Sequence, residues 1–197
     1  LMVGIGDAER ERLRVSVYSE DDVTVTFIDA LLSEDNKQLV DIVRGADVSA
    51  GIYKVLFDKH IGEFVKNIVV LDGDMEDETK GAIGRNRSLY YNFVCLPGNA
   101  YPENQIFKFF SKLSEDDAFW ERGLRGYTKQ KCFREVDIDE KGKSRIKYWF
   151  AMQDGLRENG RMLLVRRWLQ DNPKVVEEFN QQFSEAYGKV MNVRGRS

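Results

Sequence analysis

Residues 68–74, Ile-Val-Val-Leu-Asp-Gly-Asp, constrain the fold more than any other stretch of the chain. Four consecutive apolar residues, three of them β-branched, are typical of a strand buried on both faces in a parallel sheet. Ligands of open α/β sheets bind outside the carboxyl ends of the strands, so Asp72 and Asp74 fall where a site is expected. Their side chains project the same way from extended backbone and can share one hard cation. An ordinary turn is the alternative interpretation of Asp-Gly-Asp.

The composition suits one large domain, or a domain with an appendage, and excludes several classes of protein. The chain has 197 residues, of which 42% are hydrophobic and 32% charged, enough for a core and a well-solvated surface. One histidine and two cysteines exclude zinc clusters and a disulfide framework and favour a reducing, cytoplasmic compartment. No apolar run is long enough to span a bilayer. With a formal net charge of -3, binding to nucleic acid requires a local basic patch.

Strand and helix patterns alternate along the first half of the chain. Strands are predicted at residues 13–19, 38–43 and 89–96 besides the one at 68–71, and helices at 23–32, 50–64 and 102–113. Residues 76–88 are predicted to form a polar loop. This order predicts an α/β fold with a mostly parallel sheet flanked by helices.

The composition changes after Trp120. Residues 122–147 contain nine lysines and arginines against four acids, and they are predicted to form a basic hairpin, either a solvated surface or one that binds phosphate. The tail is predicted to be helical, because apolar residues recur at every fourth position from Val175 to Tyr187. Residues 116–197 are therefore expected to form a basic hairpin and helical extension packed on the first domain.

Acidic residues follow two of the predicted parallel strands. Glu20 ends the first strand, and Asp72 with Asp74 ends the third. The carboxyl ends of parallel strands open on the same edge of a sheet, so these three carboxylates can converge. Such a dense anionic site is costly unless cations neutralise it, and Mg²⁺ or Mn²⁺, hard and oxygen-loving, is the natural occupant. Asp21 and Asp22, next to Glu20, have a second interpretation as the cap of the following helix.

A glutamate after the first strand and an Asp-x-Asp after the third resemble the Toprim domain, which topoisomerases, primases and several nucleases share. Within that group the chain is most similar to the nuclease domain of the OLD (overcoming lysogenization defect) family. The matching segments are residues 17–22 (Val-Tyr-Ser-Glu-Asp-Asp), 69–74 (Val-Val-Leu-Asp-Gly-Asp), and Leu96-Pro97-Gly98 with Pro102-Glu103. The resemblance covers residues 12–115 and implies a Toprim-like catalytic domain over that range.

The resemblance implies an endonuclease that cleaves DNA phosphodiester bonds by a two-metal mechanism. The catalytic residues that it implies are Glu20, Asp72, Asp74 and Lys147, the lysine contacting the phosphate. The metal ligands that it implies are Glu20, Asp21, Asp22, Asp72, Asp74 and Glu103. Capping of a helix start is the alternative for Glu103. The residues expected to hold the nucleic acid by its phosphates are Arg85, Arg87, Lys143 and Arg145.

The chain departs from the family pattern at two positions. Many Toprim sequences have glycine directly after the glutamate and an acid four residues after it, where this chain has Asp21 and Thr24. Asp21 or Asp22 would then serve as the second ligand. OLD proteins usually join an ATPase to this domain, and the sequence has no Gly-x-x-x-x-Gly-Lys-Ser/Thr loop. The resemblance thus implies the nuclease part of a defence system whose ATPase lies upstream or on another chain, with self-association left open.

The sequence leaves three other interpretations open. A Toprim-like module could keep the fold and use its acids structurally. A signalling receiver also has paired acids after its first strand and an aspartate after its third, but it needs a hydroxyl residue at the end of strand four, where Cys95 and Leu96 stand. A haloacid-type phosphatase would place its Asp-x-Asp on the first strand and a hydroxyl residue two positions after the second aspartate, where this chain has Glu76.

Overall fold

The computed structural model describes residues 13–44, 66–75, 92–98, 100–122 and 126–195. The strands are β1 (Val15–Ser19), β2 (Val40–Arg44), β3 (Ile68–Leu71) and β4 (Phe93–Cys95). The helices are α1 (Asp22–Leu31), α2 (Glu34–Lys37), α3 (Pro102–Lys112), α4 (Ala118–Arg122), α5 (Lys129–Cys132), α6 (Lys143–Leu156), α7 (Gly160–Asp171) and α8 (Pro173–Arg194). The predicted helix at 50–64 and loop at 76–88 lie outside the described residues, as do residues 89–91 of the last predicted strand.

The strands form one sheet in the order β2-β1-β3-β4. Each neighbouring pair is parallel. The prediction of an α/β fold with a parallel sheet flanked by helices is therefore confirmed for the described residues. Ser19 pairs with Val70, so β1 and β3 end almost level and their next residues emerge at the same edge.

Alternate residues of the strands pack into two separate apolar clusters. Val15, Val17 and Val70 belong to the main core, in which helices α1, α3, α6, α7 and α8 bury their apolar stripes. Val69 and Leu71 point to the other face and pack with Tyr18, Phe93 and Cys95. Each residue of β3 is buried, as its uninterrupted apolar sequence predicts.

The helices after residue 142 share the core of the sheet. Phe179, Phe183 and Val190 of α8 lie in the same cluster as the inward residues of β1 and β3. The side chain of Asn180 also ties α8 to the end of α1, because its amide nitrogen donates to the carbonyl of Leu31 at 2.7 Å. Within the ranges given above, no helix has the length and apolar composition needed to cross a membrane.

The basic hairpin predicted within residues 122–147 is wrong. Residues 126–147 as described contain helix α5 and the first turn of α6, and no strand. Thr128 caps α5 through a hydrogen bond from the backbone N–H of Lys131. The apolar residues of α6, Ile146, Trp149 and Phe150, lie three and four positions apart and are buried, which is helical spacing. Apolar periodicity, rather than basic charge, decides the local structure here.

Candidate functional site

The acidic residues of the sequence prediction gather where β1 and β3 end. The pairing of Ser19 with Val70 brings Glu20 level with the last residue of β3, and Asp72 follows it directly. A short 3₁₀ turn, Gly73–Met75, carries Asp74 away from the strand. Gly73 itself lies against the turn after β4, since a Cβ built on it would be 2.1 Å from the carbonyl oxygen of Gly98. At this edge of the sheet, the turn that carries Asp72 and Asp74 therefore packs closely against the backbone of the turn after β4.

Asp72 is the most perturbed of these carboxylates. Only 7% of the residue is exposed. Burial, followed by the negative charges of Glu20, Asp21, Glu103 and Asp74, raises the pKa of Asp72 from 3.8 to about 7. The hydroxyl of Thr24 lies 3.3 Å from its Oδ1. A neutral-range pKa produced by burial and like charges is a common property of functional sites.

Glu103 lies in the first turn of α3, which begins at Pro102. It is 2% exposed, and burial raises its pKa above the ordinary range. Its Oε1 lies 3.6 Å from the Nζ of Lys147, whereas its Oε2 is buried without a hydrogen-bond partner in the described structure. Tyr101, not a carboxylate, occupies the N-cap position of this helix. A buried carboxylate oxygen left unpaired is expensive and needs a reason beyond helix capping.

Glu20 belongs to the same group of charges. Burial raises its pKa first and Asp21 next, with a smaller contribution from Asp74, while Lys147 and Lys143 oppose the shift. Lys143 lies 3.9 Å from the Oδ2 of Asp74 and 4.9 Å from the centre of the Tyr101 ring.

Helix α6 brings both lysines to the acids. Lys143 and Lys147 are four positions apart, so they lie on one side of the helix, one turn from each other. Burial lowers the pKa of Lys147, but the carboxylates of Glu103, Asp21, Asp72 and Glu20 outweigh this effect and raise the pKa above 10.5. Lys147 therefore remains protonated at neutral pH.

The structure gives Asp21 and Asp22 different surroundings. Asp21 is the N-cap of α1, since its Oδ1 accepts the backbone N–H of Thr24 at 2.9 Å, and its charge also acts on Glu20 and Asp72. Asp22 instead pairs with Arg44 at the end of β2, with Oδ1 and Nη1 3.0 Å apart. Asp21 thus belongs to the acidic group, whereas Asp22 lies beside that group and forms an ion pair with Arg44.

Of the residues predicted to contact nucleic acid, only some lie beside the acidic group. Lys143 lies beside the acids. The guanidinium of Arg145, although on the same helix, pairs with Glu140 at 3.7 Å. Arg85 and Arg87 lie outside the described residues.

Thr24 also belongs to the site, although the sequence analysis names it only as a departure from the family pattern. It is completely buried, and its hydroxyl lies 3.1 Å from the Oδ1 of Asp21 and 3.3 Å from that of Asp72. The available signal was its position: it is the third residue after the capping Asp21, where a side chain of the first helical turn can face the end of a neighbouring strand.

Comparisons with protein-family models, with curated proteins and with solved structures found no match.

The donor set suits a hard divalent cation. The residues of the group offer carboxylate oxygens, which Mg²⁺ and Mn²⁺ prefer. The buried Oε2 of Glu103, which has no hydrogen-bond partner among the described residues, and the raised pKa of Asp72 both indicate negative charge for which the two lysines compensate only in part. Among the described residues, no three potential ligands already stand in an arrangement that could hold an ion.

Proposed function

We propose that this chain is a Mg²⁺- or Mn²⁺-dependent endonuclease that hydrolyses DNA phosphodiester bonds, built on a Toprim-like domain of the OLD kind. The observation that carries the proposal is the meeting of Asp72, Glu103 and Glu20, each with a raised pKa, beside the protonated amine of Lys147. The parallel sheet is compatible with such a domain, and the site lies at the edge where α/β sheets bind their ligands.

Glu20, Asp72, Asp74 and Glu103 are the residues that would hold the metal ions. Asp21 could contribute its second oxygen, because its Oδ1 already accepts hydrogen bonds from Thr24. Asp22 is the weakest of the predicted ligands, since Arg44 engages it. When bound, the ions would activate water and stabilise the leaving oxygen during hydrolysis of the phosphodiester.

Lys147 supplies the positive charge that the reaction needs. Its partly buried amine lies among carboxylates that keep it protonated, so it can donate hydrogen bonds to a phosphate whose negative charge increases in the transition state. Glu103 holds it in place through the 3.6 Å contact. Lys147 therefore acts as an electrostatic group rather than as a proton carrier.

Lys143 and Arg145, at the exposed start of α6, would bind the phosphates that flank the cleaved bond. Contacts of this kind neutralise backbone charge without reading base edges. We therefore expect binding that weakens steeply with salt and depends little on sequence. By the resemblance to OLD proteins, the partner of this nuclease would be an ATPase, upstream or on another chain, within a defence system.

Cleavage of supercoiled plasmid with Mg²⁺ or Mn²⁺ tests the proposal. We expect the wild type to nick the plasmid only with the metal, and Asp72→Asn and Glu20→Gln to reduce the rate by roughly 100-fold or more, because each removes negative charge from the site. Asp41→Asn is the matched control, since Asp41 lies on β2 near the start of the strands and pairs there with Arg14 at 2.7 Å.

Two results would contradict the proposal in different ways. Activity that survives both Asp72→Asn and Glu20→Gln would show that cleavage occurs elsewhere or comes from another protein. Absence of cleavage by the wild type, with metal and DNA in excess, would favour a non-catalytic Toprim-like or receiver-like module, or a nuclease that cleaves only together with its ATPase.

A further inference from the structure

The buried hydroxyl of Thr24 stands between two carboxylates from different parts of the fold. Its Oγ1 lies 3.1 Å from the Oδ1 of Asp21, at the start of α1, and 3.3 Å from the Oδ1 of Asp72, at the end of β3. Thr24 has no exposed surface. The second contact joins residues 48 positions apart, so it links α1 to β3 at the site itself.

The local requirements of helix α1 do not account for the contact between Thr24 and Asp72. A threonine in a helix commonly donates its hydroxyl to the carbonyl four residues before it. Thr26 does so, with its Oγ1 2.9 Å from the carbonyl oxygen of Asp22. Asp21 already caps the helix through the backbone N–H of Thr24. The 3.1 Å contact of the Thr24 hydroxyl with Asp21 belongs to this cap, whereas its 3.3 Å contact with Asp72 lies outside the helix.

We propose that Thr24 is a positioning residue whose hydroxyl, held against the capping Asp21, keeps the carboxylate of Asp72 in the orientation that a divalent cation requires. A hydroxyl has one proton, so it donates to one of the two carboxylates at a time. Donation to one oxygen of a carboxylate fixes the rotation of that group and keeps its other oxygen for a ligand. This inference rests on the proposed function, because it assumes that Asp72 binds a metal ion.

Groups that orient metal ligands affect affinity strongly. Loss of such a hydrogen bond typically weakens metal binding by about 10- to 100-fold. Replacement of Thr24 by valine keeps the shape of the side chain and puts a methyl group in place of the hydroxyl, whereas serine keeps the hydroxyl and removes the methyl group. The pair therefore separates hydrogen bonding from packing.

The experiment is a titration of the full chain with Mn²⁺, followed by electron paramagnetic resonance of the free ion. We expect Thr24→Val to raise the dissociation constant for Mn²⁺ by roughly 10-fold or more, and Thr24→Ser to stay within about 3-fold of the wild type. Thr26→Val is the matched control on the same helix, and its affinity should equal that of the wild type. Circular dichroism in EDTA checks that each variant is folded.

The possible results separate this inference from the proposed function. Wild-type affinity in Thr24→Val, with binding abolished in Asp72→Asn, would overturn the positioning role and leave the metal site standing. Equal weakening in Thr24→Val and Thr24→Ser would also overturn it, because packing would then explain the loss. A wild type that does not bind Mn²⁺ would overturn both the inference and the proposed metal site. If Thr24→Val does not fold, wild-type-like affinity in Thr24→Ser supports the role of the hydroxyl and weak affinity rejects it.

Discussion

Asp72 follows a strand whose residues are all buried, and the charges around it are mainly carboxylates. Burial and the neighbouring acids Glu20, Asp21, Glu103 and Asp74 all act in the same direction on its pKa. A folded protein that keeps such a group without a cation accepts a free-energy cost whenever the group is ionised. A residue that carries such a free-energy cost is typically retained for function rather than for stability.

This cost predicts how the stability of the metal-free protein depends on pH. The pKa of Asp72 is raised from 3.8 to about 7, so between these values the folded state binds more protons than the unfolded state, and stability falls as pH rises. We expect the free energy of unfolding in EDTA to fall by on the order of 2 kcal/mol between about pH 5 and pH 8. Urea denaturation at a series of pH values measures this slope.

Asp72→Asn is the control for that slope, because an amide does not titrate in this range. The variant should show a flatter profile and should be more stable than the wild type at about pH 8 in EDTA. Glu20 and Glu103, whose pKa values are also raised by burial, would account for what slope remains. An unchanged slope in Asp72→Asn would mean that Asp72 is not the group responsible.

The sequence predicted which acids meet, but not what each of them does. Asp21 was assigned two roles, and its hydrogen bond to the N–H of Thr24 confirms the cap while its charge still acts on Asp72. The engagement of Asp22 by Arg44 depends on the pairing of β1 with β2, which sequence pattern does not reveal. The contact of Thr24 with Asp72 cannot be inferred from sequence pattern for the same reason, because the two residues are 48 positions apart along the chain.

At the scale of elements, apolar periodicity predicted more than charge did. The strands β1, β2 and β3, the helices α1 and α3 and the helical tail are all confirmed, since each has a regular apolar pattern and a clear start or end. Basic charge carries no such pattern, and the hairpin predicted from it is wrong, since the described residues there form α5 and the start of α6. The correct structure still brings Lys147 to within 3.6 Å of Glu103, because Trp149 and Phe150 anchor α6 in the core.

The turn after β3 offers a test at this scale. A Cβ on Gly73 would lie 2.1 Å from the carbonyl oxygen of Gly98 and 2.7 Å from that of Leu96. Both atoms belong to backbone, so no side-chain movement relieves the clash. We expect Gly73→Ala to lower the free energy of unfolding by about 1 to 3 kcal/mol, and to weaken Mn²⁺ binding by displacing Asp72 and Asp74. Urea denaturation with and without Mn²⁺ measures both effects.

Gly188→Ala is the matched control for this substitution. A Cβ at Gly188 in α8 meets nothing within 4 Å, and alanine favours a helix over glycine by up to about 1 kcal/mol. This variant should be at least as stable as the wild type and should bind Mn²⁺ normally. A Gly73→Ala protein of wild-type stability and affinity would show that the two turns are not packed as closely as described.

At the scale of the whole molecule, one apolar core joins the sheet to the C-terminal helices. Val17 and Val70 from the strands lie in the same cluster as Trp149 of α6 and Phe183 of α8. Helix α8 also bonds to the start of the sheet, where the hydroxyl of Tyr187 donates to the carbonyl of Leu13 at 2.8 Å. Contacts of this kind couple the site, which needs Asp72 from β3 and Lys147 from α6, to the folding of both parts.

A shared core predicts that the sheet and the helices unfold together. The three tryptophans, Trp120, Trp149 and Trp168, all lie in helices that follow the sheet, so their fluorescence reports on that part of the chain. We expect Val70→Ala in β3 to lower the unfolding free energy by about 2 kcal/mol, and the midpoint of urea denaturation to shift equally by tryptophan fluorescence and by far-ultraviolet circular dichroism. The same substitution at the exposed Val43 of β2 should cost less than about 0.5 kcal/mol. If Val70→Ala left the urea midpoint measured by fluorescence unchanged, the sheet and the helices would be two independently folding parts. Lys147 could then reach the acids only when both parts had docked.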